Sequence, residues 1–246
     1  MVLDFFNGGE LFFHLKKEGR FSERRSRFYA AEICLALEYL HSKEVVYRDL
    51  KPENVLLDAD GHVKVADFGL SKECLRGDTI THTFCGTPEY IAPEILNWIG
   101  GVFGTLLYEM MTGLPPFYHQ HLPTMYDRIL NASVTLPKYL PRDACSLFSA
   151  LLDRDPKRRL GAGPKDGAEI REHAFFVLID FDKLLRKELE PPFKPEVQDD
   201  MDTTNIDEDF IQQNAQDSLV EPTGSMLEAK DMFAGFTYDE RTGFTE

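Results

Sequence analysis

The chain has 246 residues, 43% of them hydrophobic, and its 42 acidic against 27 basic side chains give a formal net charge of −15. That length and apolar content support a sizeable core plus an appendage, which excludes a wholly disordered chain. Residues 196–246 hold 14 acidic and 2 basic side chains, so most of the excess charge sits there; such a balance excludes binding to nucleic acid or anionic membrane through clustered Lys and Arg, and a merely solvating tail is the plain alternative for the acidic run.

In chain order, Ser22 is placed to cap a helix whose apolar residues Tyr29, Ile33, Leu37 and Leu40 recur at steps of three and four. The spacing predicts one amphipathic helix of about five turns. Short apolar runs follow at Val45–Tyr47, Val55–Leu57 and Val63–Ala66, the last two separated by a turn signal at Asp60-Gly61. They read as small strands with loops between them. Helical patterns return from Leu106 onward, including Met125–Leu130 and Ala144–Leu152, while Gly161–Gly167 reads as a loop.

The apolar run Ile95–Met111 is interrupted by Asn97, Thr105 and Glu109 and is short for a membrane span, although Gly100 and Gly104 match GxxxG. A buried helix or turn is expected there, and no membrane insertion. After Phe176, Pro191, Pro192, Pro195 and the acidic run give no core pattern, so the tail is expected to lie extended over another surface. The chain thus reads as a mainly helical domain with a little sheet over 1–176 and a tail over 177–246. Cys34, Cys74, Cys85 and Cys145 show neither metal-ligand spacing nor disulfide density, which predicts reduced thiols in the cytoplasm or nucleus.

The chemistry concentrates in Tyr47-Arg48-Asp49-Leu50-Lys51-Pro52-Glu53-Asn54 and, thirteen residues beyond Asn54, in Asp67-Phe68-Gly69. Transfer of a γ-phosphoryl group needs an acceptor for the substrate hydroxyl's proton, a cation on the phosphate and oxygen ligands for Mg2+. Asp49, Lys51, Asn54 and Asp67 supply that set. Either motif alone is commonplace, and Asp-Phe-Gly by itself is usually a turn; the two in order are specific.

With these motifs, nearly the whole chain resembles Ser/Thr protein kinases of the AGC group, nearest the serum/glucocorticoid-regulated, protein kinase B and protein kinase C branches. The resemblance implies a mainly α fold with small β hairpins, the large (C-terminal) lobe of a kinase, followed by an extended AGC tail. It implies ATP and Mg2+ as cofactors, Asp49 and Lys51 as catalytic residues, and Asn54 and Asp67 as metal ligands. Asp4 and Phe6 would lie beside adenine and Glu10 near ribose.

Thr83-Phe84-Cys85-Gly86-Thr87-Pro88-Glu89-Tyr90 resembles the activation segment, closed by Ala92-Pro93-Glu94. Thr83 is then a phosphosite whose phosphate would pair with Arg48 or Lys72, set by an upstream phosphoinositide-dependent kinase. Thr87 would orient Asp49 and Lys51, and Arg159 would pair with Glu94. Glu53 and Glu109 match positions that meet basic side chains of protein substrates, which implies a preference for Arg upstream of the target Ser or Thr. In the tail, Phe233-Ala234-Gly235-Phe236-Thr237-Tyr238 resembles the hydrophobic motif, with Thr237 as its phosphosite and Ser218 as the candidate turn-motif site.

Three departures from the family pattern bear on activity. The resemblance begins at the hinge, without the glycine-rich loop, strand lysine and helix glutamate of the small lobe. The stretch between Glu94 and Leu106 is shorter than in relatives and puts Ile99 near the place of an anchoring aspartate. Ile206, in Asn205-Ile206-Asp207, stands where related tails often carry a phenylalanine close to the adenine. The chain by itself is therefore expected to be inactive, with two alternatives: a non-catalytic module or decoy that docks Phe233 and Phe236 on another kinase, or an incomplete product that folds poorly.

Overall fold

In a computed structural model, which describes residues 4–73 and 99–213, the first two helices are α1 (Leu11–Glu18) and α2 (Glu23–Ser42). α2 starts where the sequence signals it. The Ser22 hydroxyl accepts the Arg25 N–H at 3.3 Å, satisfying a donor that the first helical turn leaves unpaired. Tyr29, Ile33 and Leu37 are buried as their spacing predicts, and Leu40 packs half-buried against the same core.

Four short strands follow: β1 (Val45–Val46), β2 (Val55–Leu57), β3 (Val63–Val65) and β4 (Lys72–Glu73). β2 and β3 form the expected antiparallel hairpin, with Val55 opposite Val65. Its turn places Gly61 at φ +93°, a left-handed conformation that glycine adopts without a Cβ penalty. β1 pairs instead with β4, Val45 opposite Glu73. The loop carrying the Asp49 motif is therefore held at both ends, by the β1–β4 pair and by the β2–β3 hairpin.

The remaining helices are α3 (Ile99–Thr112), α4 (Leu122–Asn131), α5 (Arg142–Leu151), α6 (Gly167–Arg171), α7 (Phe181–Leu185) and α8 (Glu208–Ile211). α3 begins before Leu106, inside the Ile95–Met111 run where a buried helix or turn is expected. Its glycines explain why: Gly100 admits the Leu160 carbonyl, and a Cβ on Gly104 would sit 2.9 Å from Leu151 Cβ. The GxxxG spacing serves close packing inside a core, and among the described residues no helix is long and apolar enough to cross a membrane. Phe103, Leu106 and Leu107 of α3 join Tyr29 and Ile33 of α2, Phe148 of α5, and Phe175 and Phe176 in one buried cluster. Each such side chain contributes about 1.5–3 kcal/mol on burial, so the cluster outweighs any local propensity.

Beyond Phe176 the chain stays in the same compact unit as far as Ile211. It runs over the α1, α2 and hairpin surfaces as expected of an extended tail, except that it also forms the short helices α7 and α8. The Asp180 side chain caps α7 by accepting the Lys183 N–H at 3.0 Å. Farther on, the Phe193 ring stacks on the Arg25 guanidinium, 3.7 Å from its centroid, and lies edge-on to His14. Lys187 and Lys194 reach Asp58 at 3.2 Å and Asp60 at 3.0 Å.

A Gly100→Ala variant tests the close approach of α3. Alanine gains about 1 kcal/mol of helix propensity over glycine, but overpacking against the Leu160 carbonyl costs about 1–3 kcal/mol. Urea denaturation is expected to show a net loss; a more stable variant would mean that propensity outweighs the contact.

Candidate active site

The loop between β1 and β2 is fixed from beneath by apolar side chains. Tyr47 and Leu50 are buried, the Tyr47 hydroxyl donates to the Ala66 carbonyl, and its ring meets Phe68 edge-on with centroids 5.4 Å apart. Burial, and after it the Asp49 charge, push the Tyr47 phenol well above its ordinary range, so it remains a hydrogen-bond donor. Tyr47 thus ties the Asp49 loop to the start of the Asp67 loop.

Asp49 is only 8% exposed, yet its carboxylate has donors. Asn54 Nδ2 donates to Asp49 Oδ2 at 2.9 Å and to the Asp49 carbonyl at 2.8 Å, and Lys51 Nζ lies 3.1 Å from Oδ2. A 3-10 turn, Pro52–Asn54, brings Asn54 back toward Asp49, closed by the Asn54 N–H on the Lys51 carbonyl at 3.0 Å. Bonds to a charged partner are worth about 1.5–3 kcal/mol, enough to hold a carboxylate that burial disfavours.

Asn54 also anchors the second motif, because its carbonyl accepts the Ala66 N–H at 2.8 Å. Asp67 follows in a left-handed conformation, φ +55°, a strain of about 1–3 kcal/mol typical of positions fixed by their surroundings. Asp67 Oδ1 accepts the Gly69 N–H at 3.0 Å.

These bonds fit the predicted magnesium site. The amide nitrogen of Asn54 faces Asp49, leaving Oδ1 as an acceptor, and Asp67 keeps Oδ2. Among the described residues no cluster of three or more His, Cys, Asp or Glu forms a metal cage, as suits an ion that takes few protein ligands and draws the rest from phosphate and water.

Arg48 donates from Nε to the Leu70 carbonyl at 2.6 Å, and its buried Nη1 has no hydrogen-bond partner among the described residues. Glu109 is buried in α3 and does not line the cavity described next. Arg159 is also buried, donating to the carbonyls of Asp153 at 2.8 Å and Arg154 at 3.4 Å. Thr83, Thr87, Glu94, Ser218 and Thr237 lie outside the described residues.

Beside the loops is a cavity of about 330 Å3 whose lining brings together Asp4, Phe6, Glu10 and Glu53 with Leu56 of β2 and Ile206 of the tail. A bridge between Glu10 and Leu56, and the Leu57 N–H on the Gly9 carbonyl at 2.9 Å, fix the segment before α1 against the hairpin. His14, buried, donates through Nε2 to the Gly8 carbonyl at 2.7 Å; burial holds its pKa down, which favours the neutral ring. Burial raises the Glu10 carboxyl, with Glu53 and Asp207 adding repulsion. The sequence reading placed Asp4, Phe6, Glu10 and Ile206 near one ligand but did not include Asn205, Asp207 or Phe210, which also line the cavity.

Two coupled loops holding a carboxylate, an ammonium and open acceptor oxygens, set beside an aromatic cavity on a mainly helical fold, are the arrangement of a protein kinase. The family profile described as protein kinase domain matches residues 1–176, and the one described as protein kinase C terminal domain matches 197–238. The chain is 53% identical to Protein kinase 2 of Dictyostelium discoideum, over 97% of this chain and 51% of that protein. It is 45% identical to the RAC-beta serine/threonine-protein kinase of Homo sapiens, over 100% and 51%, and 47% identical to the serine/threonine-protein kinase Sgk1 of Homo sapiens, over 96% and 58%. The chain belongs to the protein kinase family, in its AGC group of Ser/Thr kinases. It spans about half the length of these relatives.

The crowding at Glu10 has a pH signature. Its folded pKa lies above the ordinary 4.5, so the native state binds the proton more tightly than the unfolded chain. That contribution is present at low pH and lost as pH rises through the folded value. Glu10→Gln, which never ionises, is expected to be more stable than the parent at pH 7 in urea denaturation, with the gain vanishing below about pH 4. An equal difference at both pH values would remove carboxylate repulsion as the cause.

Proposed function

We propose that residues 4–73 and 99–213 carry the large-lobe side of an ATP-dependent Ser/Thr kinase cleft, and that phosphoryl transfer to protein Ser or Thr is the reaction this side serves. The supporting observation is the Asp49–Lys51–Asn54 triangle, held at 2.8–3.1 Å and joined through Asn54 to Asp67. Asp49 orients the substrate hydroxyl and takes its proton. Lys51, already beside Oδ2, shifts toward the transferred phosphoryl group as negative charge gathers there.

Asn54 Oδ1 and Asp67 would hold Mg2+, which when bound neutralises phosphate charge. The cavity takes the adenine against Phe6 and Ile206, with Asp4 as a polar partner and Glu10 toward the ribose. Glu53, exposed at the cavity rim, suits a basic substrate residue, as does Glu109 by family position. The unpartnered Arg48 Nη1 is a ready site for a phosphate on Thr83, set by an upstream kinase of the phosphoinositide-dependent type. The docking-module alternative rests on Phe233 and Phe236, which lie outside the described residues.

The test is transfer from labelled ATP with Mg2+ to an Arg-rich Ser/Thr peptide, with and without a separately expressed small lobe from a relative. Transfer is expected only when the lobe is added, and Asp49→Asn is expected to lower it by at least about a hundredfold. Transfer by the chain alone would overturn the one-sided cleft. None from folded protein under either condition would overturn the phosphotransfer reading.

A further inference from the structure

The β2–β3 hairpin is a two-stranded sheet, so β3 has an outer edge with no strand beside it. Leu57 and Val63 face each other as a pair that exchanges no backbone bonds. The Leu57 N–H turns away to the Gly9 carbonyl at 2.9 Å, and the Val63 N–H turns the other way, to Glu32 Oε2 of α2 at 2.8 Å. The other oxygen, Glu32 Oε1, lies 2.5 Å from His62 Nδ1. The two side chains are 11% and 7% exposed, and the His62 ring leans on Phe28 of α2 with centroids 5.9 Å apart. Burial pushes the Glu32 carboxyl up, while the bonds from Val63 and His62 oppose that rise.

One carboxylate on the core helix is thus shared between the last residue of the hairpin turn and the first residue of β3. The turn is closed on itself, with Asp58 Oδ1 accepting the His62 N–H and the His62 carbonyl accepting the Asp58 N–H, both at 2.9 Å. Apolar contact is non-directional and holds the hairpin down on α2 without fixing where it lies along it; two bonds to one buried carboxylate fix that position.

The far end of the same segment carries the chemistry. The Ala66 N–H bonds to the Asn54 carbonyl at 2.8 Å, the Tyr47 hydroxyl donates to the Ala66 carbonyl, and Asp67 follows at φ +55°. From Val63 to Asp67 is about 13 Å of extended chain, so a displacement of β3 at Glu32 is carried along one segment to Asp67. We infer that Glu32 and His62 are positioning residues for the magnesium site: fastened to α2, they set where β3 lies and thereby where Asp67 stands relative to Asn54. Neither residue lines the cavity. The inference rests on the magnesium reading of Asn54 and Asp67. The bonds, not the charge, do the positioning, since a glutamine at 32 keeps an acceptor for the Val63 N–H and offers an N–H to His62 Nδ1.

The test compares the full chain with Glu32→Gln and Glu32→Leu. Amide hydrogen exchange is followed at Ala66 and over α2 without ligand, and ATP affinity is titrated with Mg2+ and with the metal chelated. Glu32→Leu is expected to exchange the Ala66 amide about tenfold faster while α2 stays protected, and to bind MgATP about tenfold more weakly with metal-free ATP affinity unchanged. Glu32→Gln is expected to match the parent in both. Should Glu32→Leu fail to fold, His62→Phe carries the comparison, since it removes one of the two bonds and keeps a ring on Phe28. Parent-like Ala66 exchange and MgATP affinity in a folded variant, an affinity loss equal with and without Mg2+, or a loss in Glu32→Gln as large as in Glu32→Leu each overturn the positioning role and leave the magnesium reading standing. ATP affinity of the parent that does not depend on Mg2+ overturns the magnesium reading and the role of Glu32 with it.

Discussion

The burial of one helix organises this protein. α2 lays Tyr29, Ile33 and Leu37 into the core and is contacted by α3, α6, α7, β1 and β3. Removing its apolar stripe from water is worth several kcal/mol, far more than any single bond in the loops above it. Strands of two or three residues have no stability of their own. β1 leaves the end of α2, and β3 is pinned to it where the Glu32 carboxylate takes the Val63 N–H at 2.8 Å and pairs with His62 at 2.5 Å. The active-site loops are therefore rigid because α2 is.

Rigidity alone does not provide partners for a carboxylate under cover. A buried acid either finds donors or takes a proton. The Asp49 carboxylate finds an amide donor, Asn54 Nδ2 at 2.9 Å, and an ammonium, Lys51 Nζ at 3.1 Å, both from residues no more than five positions away. Glu10 and Glu53 lack such a set, and Glu10 shifts upward under burial and like charge. Two carboxylates within one site thus differ because one sits among donors and the other among acids.

What the sequence displayed well was local. The Ser22 cap, the stripe through Leu37 and the Asp60-Gly61 turn all rest on residues within a few positions of one another, and each formed as read. The contacts among Asp49, Lys51 and Asn54 are equally local, since the three share one loop. β4 was invisible because two residues, Lys72 and Glu73, carry no periodicity and pair with β1 only through the fold. The early start of α3 was hidden because Gly100 and Gly104 depress helix propensity and gain only from the Leu160 and Leu151 contacts. The tail wall of the cavity depends on contacts across nearly the whole chain; Asn7, whose carbonyl accepts the Asn205 side-chain N–H at 3.1 Å, looks in its sequence setting like any turn asparagine.

Three of the tail's fastenings, at Phe193, Asn205 and Asp207, differ in strength. At Phe193 the partner is an Arg25 side chain only 6% exposed, already held by Glu18 at 2.5 Å; a desolvated cation–π contact of this kind is worth about 2 kcal/mol or more. At Asn205 the bonds are neutral amides, about 0.5–1.5 kcal/mol each. At Asp207 the partner Lys16 is 64% exposed, and such surface pairs are worth about 0–1 kcal/mol. The Phe193 contact is therefore the strongest of these three, and the Asp207 pair the weakest.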